Sequence, residues 1–182
     1  ANIKHYKCQV EGERSFHLST VQAHIDERAR YEYFLLALGG RLSRNTIRSD
    51  LNGSGAQSYL RGVYLTTGDQ HSDISAVVKH KLPKGKSSQK FYGVADGQSH
   101  GVFQGKIIVE ENAQKTQANQ LNRGLLLSPD SEISSKPELE ILADDIKCGH
   151  GASVGDLDSD AVFYLRSRGI SEKSARHMLV VA

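Results

Sequence analysis

Cysteine and histidine stand two positions apart at Cys148-Gly149-His150, inside the stretch ADDIKCGHGASVGDLD (143–158). In an extended chain, residues i and i+2 point to one side. A soft sulfur and an imidazole nitrogen would then converge, a pair that suits zinc, copper or iron–sulfur chemistry. A closed structural zinc site needs four ligands. The segment offers two, with Asp144 and Asp145 as neighbouring oxygen donors. Two readings stand side by side: an open, transient metal site that another chain completes, or a buried cysteine next to a hydrogen-bonded histidine.

Other spacings imitate known chemistry without completing it. Gly151-Ala152-Ser153-Val154-Gly155 has the G-x-S-x-G form of a hydrolase nucleophile elbow. That motif requires a strand–turn–helix and, later in the chain, an acid and a histidine. His177 is the one histidine after Ser153, so a stand-alone β-helix hydrolase using Ser153 is kept as a rival reading. Gly85-Lys86-Ser87 imitates the end of a phosphate-binding loop, but the earlier glycine would fall at His80. With Pro83 and several lysines beside it, the segment reads as a solvated turn. Gly149-x-Gly151 lacks the third glycine of a dinucleotide fingerprint. His5, His17, His24, His71, His80, His100 and His177 are scattered; each reads as a strand-face or turn residue unless a coiling chain stacks them. Asn112, Asn119 and Asn122 would either form a side-chain ladder or punctuate turns.

These residues need elements to position them. Most of the chain reads as short β-rich runs separated by Gly, Asn, Ser or Asp: 15–25, 31–38, 41–51, 57–66, 73–82, 89–95, 100–110, 118–128 and 139–148. Two-residue Asn-Gly or Asp-Gly hairpins are missing from the links, and so are crossover helices over 1–150. A chain winding in one direction, a β-solenoid, fits this pattern, with a β-sandwich as the alternative. No strict hexapeptide or nonapeptide repeat emerges. The character changes at the end, dividing the chain into a β-rich core over 1–155 and a helical hairpin over 156–182. Asp158 suits an N-cap with Asp160 in the first turn. Gly169 suits the left-handed position after the helix, and Ser171 can cap a second helix whose apolar stripe is Ala175, Met178 and Leu179.

The totals bound the function classes. A chain of 182 residues can bury a real core, and 38% hydrophobic with 24% charged residues reads as soluble and folded. A net charge of +2 and the lack of tryptophan give no basis for a nucleic-acid footprint or a polybasic membrane patch. Two distant cysteines, Cys8 and Cys148, point to a reducing compartment. No run approaches the length of a bilayer span. The expectation is a cytoplasmic protein, or a plastid one whose transit segment was removed. The chain lacks an initiator methionine and opens on a strand-like pattern, which suggests a fragment of something longer.

Several long stretches together resemble the SufB/SufD family of iron–sulfur cluster assembly scaffolds, on the SufD side. They are FLLALGGRLSRN (34–45), GVYLTTGDQHSD (62–73), HGVFQGKIIVEENAQKTQANQLNRGLLLS (100–128), KPELEILADDIKCGHGASVGDLD (136–158) and FYLRSRGI (163–170). The resemblance implies a mainly β fold, a right-handed parallel β-helix followed by a short helical segment. It implies a non-catalytic scaffold of a SufB–SufC–SufD complex in which SufC is the ATPase. Partners would be SufC, SufB or a second copy paired through β-helix edges. SufC would dock around Phe163, Tyr164, Arg166, Arg168, Gly169 and Ile170. The histidine of the family's C-x-H-G-A motif, here His150, and the cysteine, here Cys148, would serve a transient iron–sulfur cluster completed by the partner. No cofactor bound tightly to this chain is implied, and flavin involvement is left open. Ser153 stands where the family often has threonine.

Overall fold

Along almost every extended run, inward and outward residues alternate with period two, the pattern of strands with one face buried. The computed structural model describes residues 1–181, with only the backbone of Val181; Ala182, the last residue of the expected helical segment, lies outside the described residues. The strands are β1 (Asn2–Gln9), β2 (Phe16–Ile25), β3 (Arg30–Ala37), β4 (Leu42–Leu51), β5 (Gln57–Thr66), β6 (His71–His80), β7 (Lys86–Ala95), β8 (His100–Val109), β9 (Gln117–Leu126), β10 (Glu132–Ile141) and β11 (Lys147–Asp156). Two helices follow, α1 (Ser159–Ser167) and α2 (Glu172–Val181).

Odd strands form one sheet in the order β1-β3-β5-β7-β9-β11, and even strands form a second in the order β10-β8-β6-β4-β2. Every pairing is parallel. The chain therefore winds as a β-solenoid of about five coils, two strands per coil; the sandwich alternative, which needs antiparallel neighbours, is ruled out. Register partners are 26 residues apart at Phe16 and Leu42 and 32 apart at His100 and Glu132. This uneven spacing, near thirty residues, is why no short repeat is legible in the sequence.

Corners are built from turn residues that tolerate φ > 0. Gly68 (φ 61°) and Gly97 (φ 70°) occupy equivalent corners of successive coils, and the Gln98 N–H donates to the Gly68 carbonyl at 2.8 Å. A side chain at Gly97 would meet the Gly68 backbone, so the close stacking needs glycine at 97, while Gly68 has open space around it and serves its positive φ.

The larger apolar cluster spans most of the coils, beside buried polar side chains such as Asn45 and Ser58. Tyr33, Leu35, Ile47, Leu60, Ile74, Phe91 and Phe103 are buried between the sheets, each contributing about 1.5–3 kcal/mol through apolar burial. The Phe91 and Phe103 rings lie 4.8 Å apart and join one sheet to the other. A smaller cluster of Ile107, Val109, Ala113, Ala118 and Ala143 fills the later coils.

The expected strand over 139–148 is overturned. β10 ends at Ile141, the chain turns over 142–146, and β11 begins at Lys147. The Lys115 N–H donates to the Asp145 carbonyl at 2.5 Å, tying this corner to the one a coil earlier. The apolar run LEIL continues one residue past the end of pairing, leaving Leu142 exposed, and this blurs the boundary in the sequence. Neither reading of the asparagines as a set survives: Asn119 and Asn122 share strand β9, where Asn119 accepts from Ser88 Oγ at 2.5 Å and Asn122 Nδ2 donates to Ser135 Oγ at 2.9 Å. His80 is a core histidine. It is fully buried, shares a 2.8 Å hydrogen bond with Ser87, and is pushed down to a pKa of about 4 by burial.

Candidate functional site

β11 is the last strand of the six-stranded sheet, and the five-stranded sheet stops one strand earlier in the chain, at β10. The inner face of β11 therefore has no further coil to close it. In-register neighbours of a parallel sheet share a face, so β9 tells which β11 residues face inward. Cys148 pairs with Ala118, His150 with Gln120 and Ala152 with Asn122, and all three β9 partners are buried. Cys148 and His150 thus lie on the interior side, as the i, i+2 spacing predicts, but at the open mouth. His150 is exposed and Cys148 half-buried.

Backbone direction adds a second property. The Lys147 N–H donates to the Thr116 carbonyl at 2.9 Å. Odd-numbered residues of β11 therefore turn their N–H and C=O to β9, and even-numbered ones turn them to the free edge. Cys148, His150, Ala152 and Val154 present unpaired backbone donors and acceptors beside their inward side chains. In β10 the Glu132 N–H donates to the Ser99 carbonyl at 3.0 Å, so Pro137, of opposite parity, sits where its missing N–H would have faced the open edge.

Cys148 packs against the Ala118 cluster. Burial raises its thiol pKa above the ordinary value, while a hydrogen bond from the Ala118 backbone partly opposes this. The group is thus held as a neutral thiol at neutral pH, and a metal or a cationic partner is needed to draw out the thiolate. Beside it runs an open groove of about 510 Å³ whose walls include Lys86, Ser88, Asn119 and Lys147. Asp144 and Asp145, expected as oxygen donors, are exposed in the turn before β11. Among the described residues no three His, Cys, Asp or Glu side chains cluster closely enough to hold a metal ion. Cys148 and His150 share one face of β11; the acids lie outside the strand, in the turn before it.

Ser153 is an odd-numbered, exposed residue in the middle of β11, paired with Arg123. It lies within a strand and not at a strand–turn–helix elbow, and among the described residues no histidine hydrogen-bonds it. The hydrolase reading loses its geometry.

The helical residues form a separate region. Asp158 caps α1, accepting from the Asp160 and Ala161 N–H groups at 2.9 and 3.2 Å. Gly169 takes φ 86° after the helix, and Ser171 Oγ accepts from the Ser174 N–H at 3.2 Å. Phe163 and Tyr164 are 72% and 57% exposed. The Arg168 guanidinium lies over the Tyr164 ring at 5.1 Å, Arg166 pairs with Glu172 at 3.4 Å, and Ile170 is half-buried. Of the α2 stripe, Ala175 is buried but Met178 is exposed. Arg176 fastens α2 to the solenoid by donating to the Leu127 carbonyl at 3.1 Å. From His150 to the strand end at Asp156 is six residues, about 20 Å of extended chain, so the strand holds the two regions apart.

Over its whole length, residues 1–182, the chain matches the family described as "SUF system FeS cluster assembly, SufBD core domain". The chain belongs to the SufBD core-domain family. It is 36% identical over 182 residues to the Iron-sulfur cluster assembly SufBD family protein slr0076 of Synechocystis, matching 100% of this chain and 40% of that protein. It is 34% identical to Protein ABCI7, chloroplastic, of Arabidopsis thaliana, over 99% of this chain and 38% of that protein. It is 32% identical to the Iron-sulfur cluster assembly protein SufD of Escherichia coli, over 100% of this chain and 43% of that one. The chain thus spans about two fifths of these curated relatives. The family description, of a core domain of the SUF system, agrees with the resemblance read from the sequence. Among the described residues no helix is long and apolar enough to cross a membrane.

The sequence reading missed two interior polar residues in the row of His150, Gln89 and Gln120, and named Asn122 only as a ladder or turn residue. The signal was present, because Gln89, Gln120 and His150 follow one another at intervals of 31 and 30 residues. It becomes legible only once the coil length is known.

Proposed function

We propose that this chain is the scaffold core of a SufD-like, non-catalytic subunit, which pairs with SufB through the open end of the solenoid and carries the ATPase SufC on α1 and α2. His150 offers a ligand to an iron–sulfur cluster under construction, Cys148 assists from the same side, and the partner supplies the remaining ligands. The cluster is cargo, released after assembly. The observation that carries the reading is the position of His150: on the inner face of an edge strand, exposed at the mouth, with unpaired backbone groups on either side of it for a second chain to grip. A two-ligand site is suited to handing on a cluster, because a closed four-ligand cage would retain it. Phe163 and Tyr164 supply apolar contact area for SufC, and Arg168, over the Tyr164 ring, supplies charge at its rim. The setting is the cytoplasm, or a plastid as for the chloroplastic relative.

Co-expression of the protein carrying this chain with SufB and SufC, followed by iron and sulfide analysis, tests this. Replacing His150→Ala is expected to leave SufB and SufC bound and to remove most of the iron and sulfide. Unchanged iron and sulfide would reduce the chain to a purely structural family member. Failure of the unaltered protein to retain either partner would overturn the scaffold reading itself.

A further inference from the structure

We propose that the α1–α2 hairpin is a hinged arm, and that Arg176, aimed by Glu172, is the latch that holds it against the solenoid. This rests on the reading of the hairpin as the carrier of SufC and says how that carrier is positioned.

Apolar burial is the main force that fixes one element against another, and the hairpin has little of it. Its helices pack on each other and along no strand. α1 buries no residue, and among the described side chains of α2 only Ala175 is buried. The link from the solenoid is short, with Leu157 and Asp158 between the end of β11 and the start of α1. Beside that link lies an open cavity of about 300 Å³. Leu126, Leu127 and Pro129 of the solenoid line it, together with Leu157 and Val162. Apolar walls around a gap forfeit the contact that a closed fit would give them. The hairpin thus stands beside the solenoid without packing onto it.

Arg176 crosses from the hairpin to the solenoid. Its Nη1 donates to the Leu127 carbonyl at 3.1 Å, and its Nε donates to Glu172 Oε1 at 3.3 Å. Glu172 Oε2 lies 3.4 Å from Arg166 Nη1. Glu172 therefore ties α1 to α2 and orients the guanidinium toward the corner. That corner is a fixed post: the Leu127 N–H donates to the Ala95 carbonyl at 2.8 Å, and Ser128 Oγ donates to the Gly97 carbonyl at 2.6 Å. The side chains of Arg166, Glu172 and Arg176 are 55%, 49% and 44% exposed, so water and salt compete with the latch and it opens readily. Once open, the hairpin swings about 157–158 and carries Phe163 and Tyr164 with it.

The test measures the distance from the hairpin to the solenoid by pulsed spin-label spectroscopy. Nitroxides are placed at Lys90→Cys of β7 and Lys173→Cys of α2, both exposed positions, in the chain carrying Cys8→Ser and Cys148→Ser. With the latch intact, one dominant distance is expected. Arg176→Met keeps the aliphatic stem and removes the guanidinium. It is expected to raise the ratio of displaced to latched arms about tenfold, the effect of losing one hydrogen bond to a charged group. Glu172→Gln, and a rise from about 0.01 M to 1 M salt, are expected to shift the ratio in the same direction; His177→Gln is not. Circular dichroism shows whether the helices persist. An unchanged distribution in a helical Arg176→Met or Glu172→Gln chain overturns the proposal, and so does a native chain already spread over many distances. If both variants lose helix, an unchanged distribution across the salt range overturns it. The carrier reading fails separately: a protein that does not bind SufC would sink that reading while the distances in the chain alone still decided the latch.

Discussion

His80 and His150 are both histidines on the inward faces of their strands, and opposite environments separate them. His80 is enclosed, with Nε2 bonded to Ser87 and Nδ1 unpaired. Burial lowers its pKa from 6.5 to about 4. The folded state therefore binds fewer protons than the unfolded state between these values. The stabilisation is fully present above pH 6.5 and is lost as the pH falls toward about 4, a swing of about 3 kcal/mol from this one residue. Urea unfolding across that window should show stability falling with acidification, and His80→Gln should flatten that part of the profile while lowering stability at neutral pH. An unaltered pH profile in His80→Gln would place the acid sensitivity elsewhere. Cys148 behaves in the same sense: its raised thiol pKa makes it a poor free nucleophile, consistent with a ligand that waits for a metal.

At the scale of the element, β11 is the edge that the proposed pairing would use. Its odd residues pair with β9, and its even residues offer their backbone to the edge. Pro137 shows that the fold accepts proline at an edge-facing position of the neighbouring sheet. Ala152→Pro therefore removes no internal ladder hydrogen bond, whereas Ser153→Pro removes one to β9. The first is expected to cost little in thermal stability, under about 1 kcal/mol, and to abolish pairing through this edge; the second is expected to cost about 1–3 kcal/mol in the monomer through the β9 carbonyl it leaves unpaired. Thermal unfolding together with sedimentation, alone and with SufB, distinguishes them. Undiminished pairing in a folded Ala152→Pro chain would remove β11 from the interface. The helices depend on local signals instead, with Asp158 and Ser171 as caps and Gly169 as the stop, and one buried residue, Ala175, with the Arg176–Leu127 hydrogen bond to hold them to the solenoid.

At the scale of the molecule, each coil contacts mainly the coils before and after it, so stability is a sum of neighbour terms and is lowest at the ends. Amides of β4 to β8 should exchange with solvent most slowly and those of β1 and β11 fastest. Within β11 the exchange should alternate, with Cys148, His150, Ala152 and Val154 fast and Gly149, Gly151 and Ser153 slower. Hydrogen exchange read residue by residue checks this, and addition of SufB should slow the even-numbered set specifically. Uniform exchange along β11 would contradict the edge assignment.

Local chemistry was readable without coordinates. The caps at Asp158 and Ser171, the glycine at 169, the alternation of most strands and the convergence of Cys148 with His150 all follow from interactions spanning a few residues. The long motifs around 100–128 and 136–158 were enough to point to the family. The coil length, the turn that breaks 139–148 and the row joining Gln89, Gln120 and His150 were decided only by tertiary structure. Backbone pairing between residues about thirty positions apart fixes all three, and that pairing depends on register across coils of unequal length, which no local run of residues encodes.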